Sequence, residues 1–207
     1  MTRSTVLRAV RVAAFAGIAG AGAVWAGWWL APERGWQPPA ASAPAPIGGP
    51  FALTDMNGRA VTDQTFRGRW MLVFFGYTHC PDACPLALSE MSETLDRLGP
   101  MAARVQPLFV SVDPERDTPE ALRGLLESFD PRILGLSGTP AQVAQAAQAY
   151  RVYYARHGTG AEYAVDHSTL LYVMDPQGRY VTHFTHATGG DVVAQRLQTL
   201  LAAAPAS

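Results

Sequence analysis

Eight consecutive residues, Trp70 to Tyr77 (WMLVFFGY), carry no charge and are almost all large and apolar. A short continuous run of this kind suits a strand buried on both faces, which places it in the middle of a sheet. That run commits the chain to a layered fold, and the pattern around it supplies the layers. After Cys80, apolar residues at Leu86, Leu88, Met91, Leu95 and Leu98 follow helical spacing up to Gly99-Pro100. Leu108 to Val112 (LFVSV) reads as the next strand, and Ile133 to Leu136 as a short one. Thr118-Pro119 opens a helix with Thr as N-cap and Pro at the first helical position. Thr139-Pro140 repeats the device, and Gln142 completes a capping box.

Asn57-Gly58, inside Phe51 to Thr62, predicts a hairpin with a two-residue turn. Asp175-Pro176-Gln177-Gly178 predicts a second hairpin between Leu170–Met174 and Tyr180–Phe184. A last amphipathic helix carries Val192, Val193, Leu197, Leu200 and Leu201, and no internal repeat is evident. Strands alternating with helices define an α/β fold, a central sheet with helices on both faces. Such sheets place ligands at the carboxyl ends of their strands, where Cys80 and Cys84 follow the apolar run.

Ahead of this domain, Val12 to Ala31 is 20 residues without a charge, enough for a helix of about 30 Å, the thickness of a bilayer core. Arg3, Arg8 and Arg11 precede it, and Trp25, Trp28 and Trp29 cluster near its end. The positive-inside rule then predicts a cytoplasmic N-terminus over 1–11, a single-pass anchor over 12–31, and a domain on the periplasmic or outer side of the cytoplasmic membrane. A cleaved signal peptide is the rival reading, but its apolar region is shorter and its end needs small residues. Residues 32–49, with five prolines and almost no large apolar groups, read as a tether, leaving 50–207 as the domain. From Pro50 on, 12 arginines face 16 acids, so the domain has no footprint for nucleic acid. Two cysteines in all exclude a disulfide scaffold and a four-cysteine zinc site.

Cys80-Pro81-Asp82-Ala83-Cys84 lies at a strand-to-helix junction, where one sulfur precedes the helix and the other sits in its first turn. The positive end of the helix favours thiolates there. Such a pair can close a reversible disulfide or hold a soft metal, and two thiolates leave a metal in need of a third ligand. Five histidines are candidates. His79 adjoins Cys80 but projects oppositely from extended backbone. His157 lies in a Gly-flanked loop (ARHGTGAEY) and reads as solvent-facing, while His183 and His186 (HFTH) read as exposed polar residues of the second hairpin. His167, in VDHS ahead of the apolar strand TLLYVM, is a candidate ligand, although a satisfied polar residue is the commoner role of such a histidine. In SVDPERDTP, Asp113 ends a strand on the expected site edge, and Asp117 reads as a helix cap.

FFGYTHCPDACP, SVDPERDTP, AYRVYY and VDHS, in this order from about Phe51 to the last helix, resemble the Sco/SenC family of copper-binding, thioredoxin-fold proteins. The resemblance implies a thioredoxin-like fold and copper, as Cu(I) or Cu(II), one ion per domain, held by Cys80, Cys84 and His167. It implies a role in assembling the binuclear copper centre of cytochrome c oxidase, by delivering metal to the copper-receiving subunit or by reducing its cysteines. That role needs a thiol reductant for Cys80 and Cys84. Asp113 resembles an acidic position near the site, and HFTH has no counterpart in the pattern. Cu(I) prefers thiolate and imidazole and accepts few ligands, whereas zinc would want four. Two other functions compete. A thiol–disulfide oxidoreductase of this fold typically carries CxxC where this chain has CxxxC. A peroxiredoxin-type peroxidase would resemble its family in a Thr at the place of Tyr77.

Overall fold

A computed structural model of the chain describes residues 46–160 and 163–203. The expected cytoplasmic segment, the anchor over 12–31 and the tether as far as residue 45 lie outside the described residues. Pro46–Gly49, read from sequence as the end of the tether, already lie against the domain: Ile47 packs on its core and the Gly48 amide donates to the Ala149 carbonyl at 2.8 Å.

Seven strands form a mixed sheet in the order β2-β1-β5-β4-β3-β8-β9. They are β1 (Ala52–Asp55), β2 (Ala60–Thr62), β3 (Trp70–Gly76), β4 (Val105–Ser111), β5 (Leu134–Ser137), β8 (Leu170–Met174) and β9 (Tyr180–Thr185). β3, β4 and β5 run parallel, and the flanking pairs are antiparallel. This is the central mixed sheet that the resemblance implies. The apolar run is β3, and all seven of its residues are buried. Its alternation explains why no polar residue interrupts it. Met71, Val73 and Phe75 face one core, and Trp70, Leu72 and Phe74 face the other.

Three helices cover the second of these cores: α1 (Ala83–Leu98), α2 (Pro119–Leu126) and α4 (Gly190–Ala203). Helix α1 buries Cys84, Leu88, Met91, Leu95 and Leu98 along one stripe. The opposite core is closed by α3 (Pro140–Tyr150) through Val143, Ala146, Ala147 and Tyr150. Thr118 and Thr139 cap α2 and α3 as expected, with the Thr139–Gln142 capping box complete.

Three sequence expectations change. Asn57-Gly58 does not form a two-residue turn; four residues, Met56 to Arg59, connect β1 and β2, with Gly58 at φ +80°. The buried Asp55 carboxylate imposes this loop by accepting from the amides of Asn57 and Arg59 and from Arg59 Nε. Asp175, Gly178 and Arg179 build the same loop in the second hairpin, so a short Asp-x-x-Gly-Arg device does recur. Lastly, Ala155 to His157 of the supposed Gly-flanked loop belong to β6 (Tyr154–His157), which pairs with β7 (Ala164–His167) in a separate two-stranded ribbon. Its four-residue strands, YARH and AVDH, do not alternate apolar with polar and so give no period-2 signal.

Both loop glycines need a positive φ, which costs a residue with a Cβ about 1–2 kcal/mol. A Cβ on Gly58 would meet nothing within 4 Å, whereas one on Gly178 would strike the Arg67 guanidinium. That guanidinium is paired to Asp63 at 2.7 Å, so making room for the methyl shifts the Arg67 end of the pair. Urea unfolding is expected to show Gly58→Ala losing about 1–2 kcal/mol and Gly178→Ala losing more.

Candidate metal centre

β3 delivers the chain to the site. Its last residue, Gly76, is followed by buried Tyr77 and a tight turn in which the Cys80 amide donates to the Tyr77 carbonyl at 3.2 Å. Helix α1 then begins at Ala83, putting Cys84 in its first turn. Cys84 is fully buried and Cys80 partly so, both as free thiols. Gly76 makes room for this packing: a Cβ there would lie 2.6 Å from Cys84 Sγ and 2.9 Å from the Phe109 ring. Any larger residue at the end of β3 would push the sulfur off the sheet.

The third donor comes from the ribbon. His167 ends β7, with Nε2 3.9 Å from Cys80 Sγ and 3.6 Å from Cys84 Sγ. Its Nδ1 lies 3.1 Å from the Ser168 carbonyl, which can only accept, so the proton sits on Nδ1 and the Nε2 lone pair faces the sulfurs. The imidazole is held edge-on between aromatic walls, 6.0 Å from Phe74 at 84° and 5.7 Å from Tyr77 at 90°. Among the described residues, Cys80, Cys84 and His167 form the one group of three or more such side chains whose ligand atoms lie within 4.8 Å of one another.

The donor set fits a soft ion. Metal–sulfur and metal–nitrogen bonds of about 2.3 and 2.0 Å, at angles between tetrahedral and trigonal, put sulfur and nitrogen roughly 3.5–3.8 Å apart. The observed 3.6 and 3.9 Å need little rearrangement. Two sulfurs and one nitrogen suit copper and leave zinc one ligand short.

The two thiols differ sharply. Donation from the Cys84 thiol holds the Cys80 pKa well below an ordinary thiol, at about 4, against the opposing effect of burial; the amides of Cys84 and Asp82 assist. Cys84 is pushed up, because it donates to Cys80 and then because it is buried beside that charge. Cys80 is therefore the thiolate and Cys84 the thiol of the reduced, metal-free pair.

The remaining candidates lie elsewhere. His79 is exposed and bonds the Thr78 hydroxyl through Nδ1 at 2.9 Å. His157 ends β6 and pairs with Asp166 at 2.8 Å, solvent-facing but on a strand and not in a loop. His183 is exposed and meets the Tyr180 hydroxyl at 2.6 Å, and His186 lies just beyond β9, partly buried. Asp113 is not among the converging donors; it is buried against Arg116 and the Tyr163 hydroxyl, which belong to the grip on the ribbon. Asp117 is not a cap, since Thr118 caps α2. Buried at 1% exposure, it accepts from Ser111 Oγ at 2.6 Å and from the Thr78 hydroxyl at 2.6 Å, and so ties the end of β4 to the segment leading into Cys80. Burial raises its pKa, and these hydrogen bonds oppose the rise. Gly76, Tyr77, Arg116 and Tyr163 were not singled out from sequence, although Arg116 stands inside the noted DPERD segment.

A pKa lowered to about 4 means that Cys80 remains a thiolate as pH falls well below the ordinary thiol range. Iodoacetamide labelling of reduced, metal-free protein is expected to modify Cys80 at a nearly constant rate from about pH 8 to pH 5.5, slowing toward pH 4. Cys84 is expected to stay unlabelled until the protein is unfolded. A Cys80 rate that climbs tenfold per pH unit up to pH 8.5 would mean an ordinary thiol.

Comparison with known proteins places this geometry. The SCO1/SenC family profile matches residues 39–202. The chain is 42% identical to the human mitochondrial SCO1 homolog over 142 residues, 67% of this chain and 47% of that protein, so it spans about half of that relative's length. Copper-bound ScoI of Bradyrhizobium japonicum is 49% identical with a TM-score of 0.70, covering 74% of this chain and 98% of that one. Copper-bound ScoI of Arabidopsis thaliana is 35% identical, also with a TM-score of 0.70, covering 74% of this chain and 96% of that one. With a family match across most of its length, a shared thioredoxin-like fold and a Cys-Cys-His cluster at the carboxyl edge of the sheet, the chain belongs to the SCO1/SenC family.

Proposed function

We propose that this chain is a membrane-anchored copper chaperone that carries one copper ion between Cys80, Cys84 and His167 and helps assemble the copper centre of cytochrome c oxidase. The observation that carries this reading is the convergence of two sulfurs and one imidazole nitrogen within 4.8 Å, with the lone pair of Nε2 already turned toward the sulfurs. The copper carried by ScoI of Bradyrhizobium japonicum and of Arabidopsis thaliana supports it. Copper is cargo here, so the site must hold it and also give it up. Three donors are enough to bind Cu(I) and leave an approach for a ligand of the copper-receiving subunit. Cys80, partly exposed, is the donor that an acceptor would reach first, while Cys84 stays covered by β3. The expected single-pass anchor over 12–31, with 1–11 in the cytoplasm, would hold the domain at the outer face of the cytoplasmic membrane.

A second reading rests on the contrast between the two thiols. The Cys80 thiolate can attack a disulfide of the target, releasing one target thiolate and forming a mixed disulfide. Cys84 then gives up its proton and attacks Cys80, releasing the second target thiol and leaving Cys80–Cys84 oxidised. The target gains two electrons, and a separate thiol reductant must return the pair to its reduced state. Metal delivery is preferred because a reductase has no need of His167 aimed at both sulfurs.

Anaerobic copper titration separates the states. The reduced protein is expected to bind one copper ion and the oxidised protein essentially none, because a disulfide offers no thiolates. Equal binding by both would remove the cysteines from the site. His167→Ala is expected to remain folded, keep a weakened Cu(I) site on two thiolates, lose most stable Cu(II) binding, and retain the thiol–disulfide couple. Unchanged binding of both copper states by the folded variant would show that His167 is no ligand.

A further inference from the structure

His167 ends a ribbon that pairs with no strand of the main sheet, and a two-stranded ribbon is marginal in water. Its position therefore depends on what grips it from outside. Part of that grip is apolar, since Tyr163 and Val165 are buried in the core with Tyr77 and Val112, and the polar part comes from the loop between β4 and α2. Arg116 donates through Nε to Asp113 at 2.5 Å and through Nη1 to the Tyr163 carbonyl, next to β7, at 3.0 Å. Its guanidinium lies 3.6 Å from the centre of the Tyr163 ring and 5.7 Å from that of Tyr77. The Tyr163 hydroxyl donates to the second Asp113 oxygen at 2.6 Å. Arg156 also lies 3.6 Å from the Tyr163 ring centre, and two guanidiniums at one distance from one ring must take opposite faces. Arg156 is joined in turn to Glu115 of the loop at 3.1 Å.

These contacts are not surface decoration. The Asp113 and Arg116 side chains are 5% and 15% exposed, so solvent and salt screen their pairing little. A second route reaches the imidazole itself. The Tyr77 hydroxyl accepts from the Val165 amide at 3.4 Å, and the Tyr77 ring stands perpendicular to His167. Arg116 thus touches both the residue that leads into the strand carrying His167 and the ring that walls it.

We propose that Asp113, Arg116 and Tyr163 form a latch that docks the β6–β7 ribbon and thereby positions His167 opposite the two cysteines. They are positioning residues, without contact to the metal, and the proposal rests on the reading of His167 as a copper ligand. With the latch closed, Nε2 stands within 3.9 Å of both sulfurs. With it open, the ribbon leaves the sheet edge and the site falls back to two thiolates.

The test uses the full chain and its variants Arg116→Ala, His167→Ala and the double variant. In Arg116→Ala, electron paramagnetic resonance and the thiolate-to-Cu(II) absorption band are expected to become those of His167→Ala, and copper affinity to fall by a similar factor, about 10–100-fold. The double variant is expected to bind no more weakly than His167→Ala, since a latch has nothing to hold once the ligand is gone. Hydrogen exchange on the metal-free protein reads the ribbon directly. The Val165 and His167 amides are expected to exchange at least tenfold faster in Arg116→Ala, with β3 and β4 unchanged. A folded Arg116→Ala that keeps the parent spectrum and exchange rates overturns the latch, as do effects that multiply in the double variant. If the parent and His167→Ala bind copper alike, the ligand assignment has failed, and the exchange rates alone judge the latch. Should Arg116→Ala not fold, Arg116→Lys and Tyr163→Phe take its place. Lys keeps a charge but loses the planar fork, and Phe keeps the ring but loses the hydroxyl, so each is expected to show a smaller rise in exchange. Parent-like exchange in both overturns the proposal.

Discussion

The close approach of Cys84 to the last residue of β3 is the contact on which the rest of the site depends. A helix normally stands off a sheet by the width of the side chains between them. Here a glycine at position 76 lets the first turn of α1 settle directly onto the strand end, with a sulfur where a methyl group would otherwise be. Cys84 is thereby fully buried against the strand end. Cys80 before the helix and His167 across the edge converge on this packed sulfur. The parallel pairing of β3 with β4 brings Ser111 and Asp117 alongside, where they clamp the turn leading to Cys80.

Burial also sets the chemistry of the pair. Two thiolates packed together in a covered pocket would repel each other and lose hydration, so only one ionises, and the more accessible sulfur does so because the covered one donates to it. A bound cation reverses that balance, since it can stabilise both sulfurs as thiolates at once. The metal-free and loaded states therefore differ by a proton on Cys84 as well as by the ion.

Much of this was legible in the sequence where local signals agree with the global fold. The apolar run could only be a central strand, and two Thr-Pro caps marked helix starts that the structure reproduces. The cysteines were placed by that same run, since whatever follows a central strand reaches the carboxyl edge. His167 was different. Its spacing from the cysteines, 83 residues from Cys84, carries no local signal, and the ribbon that delivers it lacks the alternation by which strands are recognised. Without the family resemblance it was a minority candidate, set apart from the other histidines only by preceding an apolar strand at the sheet edge. Asp117 was misread because an acid before a helix is usually a cap, and only the fold reveals that Ser111 and Thr78 converge on it. Similarly, Asn57-Gly58 was overruled by a buried carboxylate two residues earlier.

The separateness of the ribbon has a thermodynamic consequence. Two of the three donors belong to the edge of the main sheet, while the third arrives on a ribbon with no ladder to that sheet, a unit that an open latch lets undock. The apparent dissociation constant for copper is then the intrinsic one divided by the fraction of molecules with the ribbon docked. A domain docked half the time would bind about twofold more weakly than a rigid one, and one docked in a hundredth of molecules about a hundredfold more weakly. Affinity can thus be adjusted through residues that never approach the metal. An acceptor that grips the undocked ribbon would lower that fraction, and so loosen the cargo without competing for either sulfur.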